Sequence, residues 1–325
     1  MKIIIDLQSC QNGSKLRGIG RYSLNVAKEL IRSTNQHSFI ILLTDRFANS
    51  IDYVRSELDG VIDQDSIVVC SLFDGISSAD PENYWRNHAA ESLYASFVTR
   101  LGADIVFIPS PFEGFWDSTV VSIDRSTYRS VVTLHDLIPL EEPNKYIPAQ
   151  RDRDAYLKRL NDVKQADLVV AISTFVADEA RRRMAVEGNR LITALNGIDG
   201  SFFHPPKGDK VAREDLMARL GISRPFVFNS SPLEHRKNLE GLIASFGSMK
   251  PSVRNAHQLV IAGKFDAYAQ NYLRGLARAE GLADDSLVLP GFVSDSDLVA
   301  LYGQCAVFGF PSWTAGFGVS MIDGM

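Results

Sequence analysis

Four short stretches carry residue types and spacings suited to chemistry on a phosphorylated ligand. Ser230–Asn238 reads Ser-Ser-Pro-Leu-Glu-His-Arg-Lys-Asn and sets two adjacent cations, Arg236 and Lys237, at the start of a helical stretch. Positive charge there opposes the helix dipole. A bound pyrophosphate would reverse that sign, with Arg236 as a two-pronged donor and Lys237 as a point charge. A solvated basic turn is the plain alternative. Pro311–Asp323 joins a strand end to a glycine-rich turn at Gly316, Phe317 and Gly318 and then to an incipient helix. Such a helix N-terminus accepts phosphate, and a carboxylate at Asp323 would accept hydrogen bonds from ribose hydroxyls. A strand, a turn and a surface aspartate explain the same residues.

The other two stretches lie earlier. Gly18-Ile19-Gly20-Arg21-Tyr22 follows a first strand and a polar loop, Gln8–Arg17, and opens a helix. Glycines there let the backbone approach a ligand closely; a tight turn needing positive φ is the competing reading. The pattern is not the full GxGxxG, so it does not favour a dinucleotide site. Thr133-Leu134-His135-Asp136 sits at a strand's C-terminal end, where open α/β sheets bind ligands. His135 is placed to hydrogen-bond a sugar hydroxyl, unless it is a loop histidine beside an N-cap-like aspartate. Asp152 and Asp154 alternate with arginines in a helical stretch, which does not suggest a metal site.

These stretches need a scaffold of strand ends, and the apolar patterning supplies one. Strands are expected at Lys2–Leu7, Ser38–Thr44, Ser66–Cys70, Asp104–Pro109, Ser130–His135, Asp167–Ile172 and Leu191–Leu195. Helical stretches fall between most of them, including Tyr22–Ser33, Ala89–Leu101, Ala149–Gln165 and Thr174–Glu187. Near-continuous apolar strands separated by helices argue for a parallel sheet covered on both faces. Phe202–Asp209 reads as a linker. The alternation then restarts with strands at Phe226–Ser230, Gln258–Gly263, Ser286–Pro290 and Ala306–Pro311, and helices at Leu239–Met249, Ala267–Gly281 and Asp295–Gln304. The fold class is therefore α/β, with two Rossmann-like domains at residues 1–205 and 206–325, the second read as truncated inside a helix.

Bulk properties set bounds. The 325 residues suit two domains, and 45% hydrophobic with 22% charged residues is an ordinary globular composition. A formal net charge of −5 is a poor footprint for nucleic acid. Three scattered cysteines, with no CxxC, suggest neither a disulfide framework nor a zinc site and fit a reducing cytoplasm. The N-terminal apolar run is too short for a signal peptide, and no stretch reaches the roughly 20 apolar residues that span a bilayer.

Taken together, Gly18–Tyr22, Ser231–Asn238 and Pro311–Asp323 resemble, in order, the signature segments of glycosyltransferase family 4. Ala171-Ile172-Ser173, Asn196-Gly197-Ile198-Asp199 and Leu289-Pro290-Gly291-Phe292-Val293 match as well. The resemblance implies a GT-B fold, its two domains facing a central cleft. It places Gly18, Ile19, Gly20, Arg21 and Glu113 on the acceptor side and Ser231, Arg236, Lys237, Asn238, Gly316, Phe317, Gly318 and Asp323 around the donor. His135, Arg236 and Lys237 are the expected catalytic residues, with no metal or other cofactor. Ile5–Gln8, Ser110–Phe115 and His135–Leu140 are similar to bacterial O-antigen mannosyltransferases. That subgroup implies GDP-mannose as donor, a lipid-linked glycan as acceptor, retention of configuration, and work with other polysaccharide-assembly enzymes at the inner face of the cytoplasmic membrane. Two departures weaken the match: Ala315 and Asp323 stand where the family has glutamates. A catalytically impaired module that binds sugar nucleotide or scaffolds a partner is the alternative. A GT-B epimerase would need an acid/base carboxylate pair and a phosphorylase a dedicated cofactor lysine, and neither is identifiable.

Overall fold

The computed structural model describes residues 1–15, 17–123, 128–186, 188–197 and 210–318. The chain divides into two compact units, Met1–Asn196 and Gly197–Met325. In the first, the strands are β1 (Lys2–Asp6), β2 (Ser38–Thr44), β3 (Ile67–Cys70), β4 (Ile105–Ile108), β5 (Arg129–Leu134), β6 (Leu168–Ala171) and β7 (Leu191–Thr193). They form one sheet in the order β3-β2-β1-β4-β5-β6-β7, every neighbouring pair parallel. The connections carry α1 (Gly18–Arg32), α2 (Ile51–Glu57), α3 (Tyr84–Arg100), α4 (Gln150–Gln165) and α5 (Thr174–Glu179).

The apolar runs are explained by burial on two faces. Ile5, Ile41, Leu43 and Phe107 pack with Leu24 and Ala27 of α1 and Val54 of α2, while the alternate residues Ile4, Leu42 and Val106 are equally inaccessible. Each such side chain contributes about 1.5–3 kcal/mol. The chain steps from β1 outward to β3, then crosses back to β4 on the other side of β1. The sheet therefore has its switch point between β1 and β4, where open α/β sheets bind ligands outside the strand C-termini.

The second unit repeats the plan with β8 (Phe226–Ser230), β9 (Gln258–Ala262), β10 (Leu287–Gly291) and β11 (Val307–Phe308), ordered β10-β9-β8-β11 and parallel throughout. Its helices include α6 (Lys210–Arg219), α7 (Leu239–Gly247), α8 (Ala267–Ala279) and α9 (Asp295–Gln304). Val227, Leu259 and Ile261 pack with the α7 stripe Leu239, Leu242, Ile243 and Phe246 and with Leu273 of α8. Phe226, Phe228 and Val260 face the opposite way, onto Leu301 and Tyr302 of α9 and Met217 of α6. The switch point falls between β8 and β11.

Several boundaries depart from the patterning. Helix α1 begins at Gly18, before the expected Tyr22, and neither Gly18 nor Gly20 is among the positive-φ residues. The tight-turn reading of those glycines is thereby overturned. The Thr174–Glu187 stretch is an α-helix only to Glu179, then a π-turn over Ala180–Met184 that ends on left-handed Ala185. The last strand shrinks from Ala306–Pro311 to Val307–Phe308, since Gly309 and Pro311 are poor strand residues. Helix α6 was not foreseen. The linker Phe202–Asp209, Ile198, Asp199 and Asp323 lie outside the described residues.

Candidate functional site

In the first unit the polar loop after β1 is fixed by buried side chains. Asp6 accepts hydrogen bonds from the Tyr94 hydroxyl (2.5 Å), the Gln8 amide (2.9 Å) and Gln8 Nε2 (2.9 Å). Gln8 also exchanges hydrogen bonds with the Val120 backbone at 2.7 and 3.0 Å. Desolvation raises the Asp6 pKa, against those donors and the nearby Arg159. Further along, Gln11 pairs in both directions with the Thr44 backbone. Asn12 donates to Glu113 Oε2 at 2.8 Å and to Thr119 Oγ1 at 3.0 Å.

Glu113 is buried beneath this loop, accepting from Asn12, Ser14 and Ser110. Burial pushes its pKa up, while those donors pull it down. Its visible work is to hold the segment that delivers Gly18. Arg17, the residue before α1, is extended and offers no side-chain cap, and the first turn holds no acidic residue. The Gly20 amide is taken by the Ser14 carbonyl at 3.2 Å, so the Gly18 and Ile19 amides are the groups of that N-terminus that favour negative charge. The two glycines differ in kind. A Cβ on Gly20 would lie 2.4 Å from the Ser14 carbonyl oxygen, whereas one on Gly18 would meet nothing within 4 Å.

His135, just past β5, meets this loop through Tyr22, whose ring packs edge-on against the imidazole at 4.9 Å. Tyr22 also lies 3.3 Å from the Thr133 hydroxyl. His135 Nε2 is 2.8 Å from the Pro109 carbonyl oxygen. A carbonyl only accepts, so Nε2 carries the proton and donates. Burial lowers the imidazole pKa, which keeps the ring neutral near pH 7 with Nδ1 as an acceptor. Asp136 caps locally, accepting from the Ile138 amide at 3.1 Å. Gly18–Tyr22 and His135 are thus neighbours at the strand ends beside the switch point.

The second unit brings its two segments into direct contact. His235–Lys237 form a single 3-10 turn, and Asn238 follows at φ 51°, left-handed, capping α7 by accepting from the Gly241 amide at 3.2 Å. The cations therefore precede the helix and do not occupy its first turn. Asn238 Nδ2 donates to the Pro311 carbonyl at 3.2 Å, and the Trp313 amide donates to the Arg236 carbonyl at 2.9 Å. Lys237 Nζ stands 5.7 Å from the centre of the Phe310 ring. Arg236 pairs with Glu234 at 2.9 Å, a partner the sequence reading did not include. Ser231 is buried next to this turn. Gly316, Phe317 and Gly318 are described, and Gly318 alone of the three is at positive φ, 83°.

Asn229 is a residue that motif reading missed. It is fully buried on β8 and donates from Nδ2 to the Gly309 carbonyl at 2.8 Å, tying β8 to the segment after β11. Its Oδ1 and the Ser312 hydroxyl are buried without a hydrogen-bond partner. Such atoms call for a polar ligand or water. An asparagine inside the otherwise apolar run Phe226–Asn229 was the available signal. His135 belongs to the first unit and Arg236 and Lys237 to the second.

Two parallel sheets share the order third-second-first-fourth strand, each with motif residues at its switch point, and such a pair of Rossmann-like units is what the GT-B fold is built from. A family model described as Glycosyltransferase Family 4 matches residues 16–202, and one described as Glycosyl transferases group 1 matches residues 212–325. The chain belongs to glycosyltransferase family 4. It is 28% identical to the serotype-specific mannosyltransferase WbdA of Escherichia coli, over all of this chain and 39% of that protein. It therefore spans well under half of that relative's length. It is 29% identical, over 48% of this chain and 36% of the relative, to the GDP-mannose:cellobiosyl-diphosphopolyprenol alpha-mannosyltransferase of Komagataeibacter xylinus. The fold matches Anabaena HepE, solved in complex with UDP-glucose, with TM-score 0.65 at 16% identity, covering all of this chain and 78% of that one.

Proposed function

We propose that this chain carries out retaining mannosyl transfer from GDP-mannose to a lipid-linked glycan, in O-antigen or related cell-surface polysaccharide assembly. Residues 1–205 serve the acceptor and residues 206–325 the donor. The observation that carries the reading is the meeting of Arg236, Lys237 and Asn238 with Pro311–Trp313 at the strand ends of β8 and β11. There a diphosphate finds two cations and the unpaired Asn229 and Ser312 atoms. The names of the WbdA and Komagataeibacter relatives support mannose, and the latter supports both GDP-mannose and a diphosphopolyprenol-linked acceptor.

In this mechanism the sugar leaves through an oxocarbenium-like transition state while negative charge grows on the β-phosphate. Arg236 and Lys237 neutralise that charge, the contribution that usually dominates such catalysis. Glu234 holds the Arg236 guanidinium in place until phosphate competes for it. Neutral His135 accepts from a hydroxyl of the transferred sugar through Nδ1, and Gly18–Arg21 shape the acceptor side. The acceptor hydroxyl attacks on the face the nucleotide leaves and passes its proton to the departing β-phosphate oxygen as the sugar–phosphate bond breaks, with no protein nucleophile and no metal ion. Among the described residues no helix is long and apolar enough to cross a membrane, and we place the reaction at the cytoplasmic face, the protein binding peripherally. The test is transfer from radiolabelled GDP-mannose to a mannan-primed polyprenyl diphosphate. Labelled product with an α-linked mannose is expected; labelling only from UDP- or dTDP-sugars would remove mannose from the reading.

A further inference from the structure

We propose that the exposed indoles of Trp85 and Trp116 form a stacking surface for the growing glycan chain, on the rim of the first unit. The inference rests on the acceptor being a glycan, as proposed above. Trp85 and Trp116 are 64% and 62% exposed, and Tyr84 beside Trp85 is 71% exposed. Rings of this size so open to water are worth explaining when they share one edge of a domain.

Their common placement follows from the helices. Trp85 opens α3. The Trp116 ring packs against Arg151 at the start of α4, 5.1 Å from guanidinium carbon to ring centre. The two helices are joined by the ion pair of Lys158 and Glu91 at 2.9 Å. Trp85 lies six residues before Glu91 and Arg151 seven before Lys158, about 9 and 10.5 Å back along the axes at helical rise. Trp85, and Arg151 with the Trp116 ring against it, therefore both lie about two turns before the ion pair that joins the two helices, toward the helix starts. The loops beneath are joined too: the Ser78 and Ala79 amides donate to the Gly114 and Phe115 carbonyls at 2.8 and 3.0 Å. Both helices start at the C-terminal ends of the strands, the edge that carries His135.

The chemistry selects a neutral polyhydroxyl ligand. Trp85 has Arg86 at 5.3 Å from its ring centre, as Trp116 has Arg151. A pyranose presents one face of slightly positive C–H bonds, which the electron-rich indole face attracts, and a girdle of hydroxyls, which a neighbouring guanidinium can bond. The surrounding charge disfavours the other occupant of exposed tryptophans, an anionic bilayer. Asp80, Glu82, Asp117, Asp152 and Asp154 outnumber Arg86, Arg151 and Arg153, whereas binding to anionic lipid calls for a basic surface.

The experiment is saturation-transfer NMR of the full chain with an α-mannan oligosaccharide and with mannobiose, without donor, beside a GDP titration of the same samples. The long oligosaccharide is expected to bind, its affinity falling about tenfold in Trp85→Ala and in Trp116→Ala, the size of one lost aromatic stacking contact. Trp85→Phe and Trp116→Phe should recover most of it, and GDP binding should be unchanged in all four. Equal mannan affinity in the wild type and the double alanine variant overturns the proposal, as does absence of mannan binding by a wild-type protein that binds GDP. Flotation with phosphatidylglycerol vesicles that is lost in the same variants, with mannan affinity unchanged, makes the rim a membrane contact and also overturns it. Mannan binding that depends on both rings in a protein that does not bind GDP leaves this surface standing and removes the donor assignment.

Discussion

Lys237→Ala is expected to lower kcat for mannosyl transfer by about 10²–10³-fold, the loss seen when one preorganised group facing a developing oxyanion is removed. Lys237 sits one residue before the left-handed Asn238, and its backbone turn is pinned to the segment after β11 by the Trp313 amide and the Asn238 side chain. The ammonium is therefore carried by a rigid turn, and truncating it leaves that turn in place. The side chain is only partly buried at the surface of its turn, with the Phe310 ring among its contacts, and a partly exposed cation of this kind should change stability by no more than about 1 kcal/mol. Lys237→Arg keeps the charge and should retain far more activity than the alanine variant. Steady-state kinetics with thermal denaturation of the same samples is the check. Turnover within twofold of wild type for Lys237→Ala would sink the role assigned to this cation.

The second large effect separates two glycines that look alike in the sequence. Gly20→Ala puts a methyl 2.4 Å from the Ser14 carbonyl oxygen and 2.6 Å from the Lys15 Cα, both backbone atoms of the anchored loop. Overpacking of that kind typically costs about 1–3 kcal/mol, and the displaced loop should take activity with it. Gly18→Ala meets nothing within 4 Å, and alanine is the better helix former by about 1 kcal/mol. Its fold should be unharmed or slightly more stable. If the open space at Gly18 is where acceptor approaches the chain, the added methyl should raise the acceptor KM about tenfold or more with the GDP-mannose KM little changed, a misplacement effect. A Gly18→Ala enzyme with wild-type acceptor kinetics would show that this end of α1 touches no substrate.

Strand positions were legible because burial on both faces leaves near-continuous apolar runs: Ser38–Thr44 and Phe226–Ser230 stand where the patterning put them. Helix starts were less so. Gly18 and Gly20 look like turn residues, yet both sit in the first turn of α1, and only at Gly20 does the missing side chain serve a close contact, with the Ser14–Lys15 backbone. The restart of the Rossmann order in the second unit follows from the same alternation. The side-chain network beneath the loop is different: Asp6, Gln8, Asn12 and Glu113 are far apart in sequence, and no local pattern announces that their hydrogen bonds converge. The contact between Ser231–Asn238 and Pro311–Trp313 was not read from the residues; only the family resemblance set both segments around one donor. The ion pair of Arg236 with Glu234 is a matter of rotamer choice, which patterning does not encode.

The claim on which the functional reading depends is that the turn at Arg236–Asn238 and the segment Pro311–Trp313 hold a guanosine diphosphate. Calorimetric titration of the protein with GDP, UDP and dTDP, repeated on an Arg236→Ala/Lys237→Ala variant, tests it most directly. GDP should bind at least tenfold more tightly than UDP or dTDP, and the double variant should lose that binding while unfolding at a similar temperature. GDP binding that survives in the folded double variant would contradict the assignment of the diphosphate to this turn, and preference for UDP or dTDP would contradict the mannose donor.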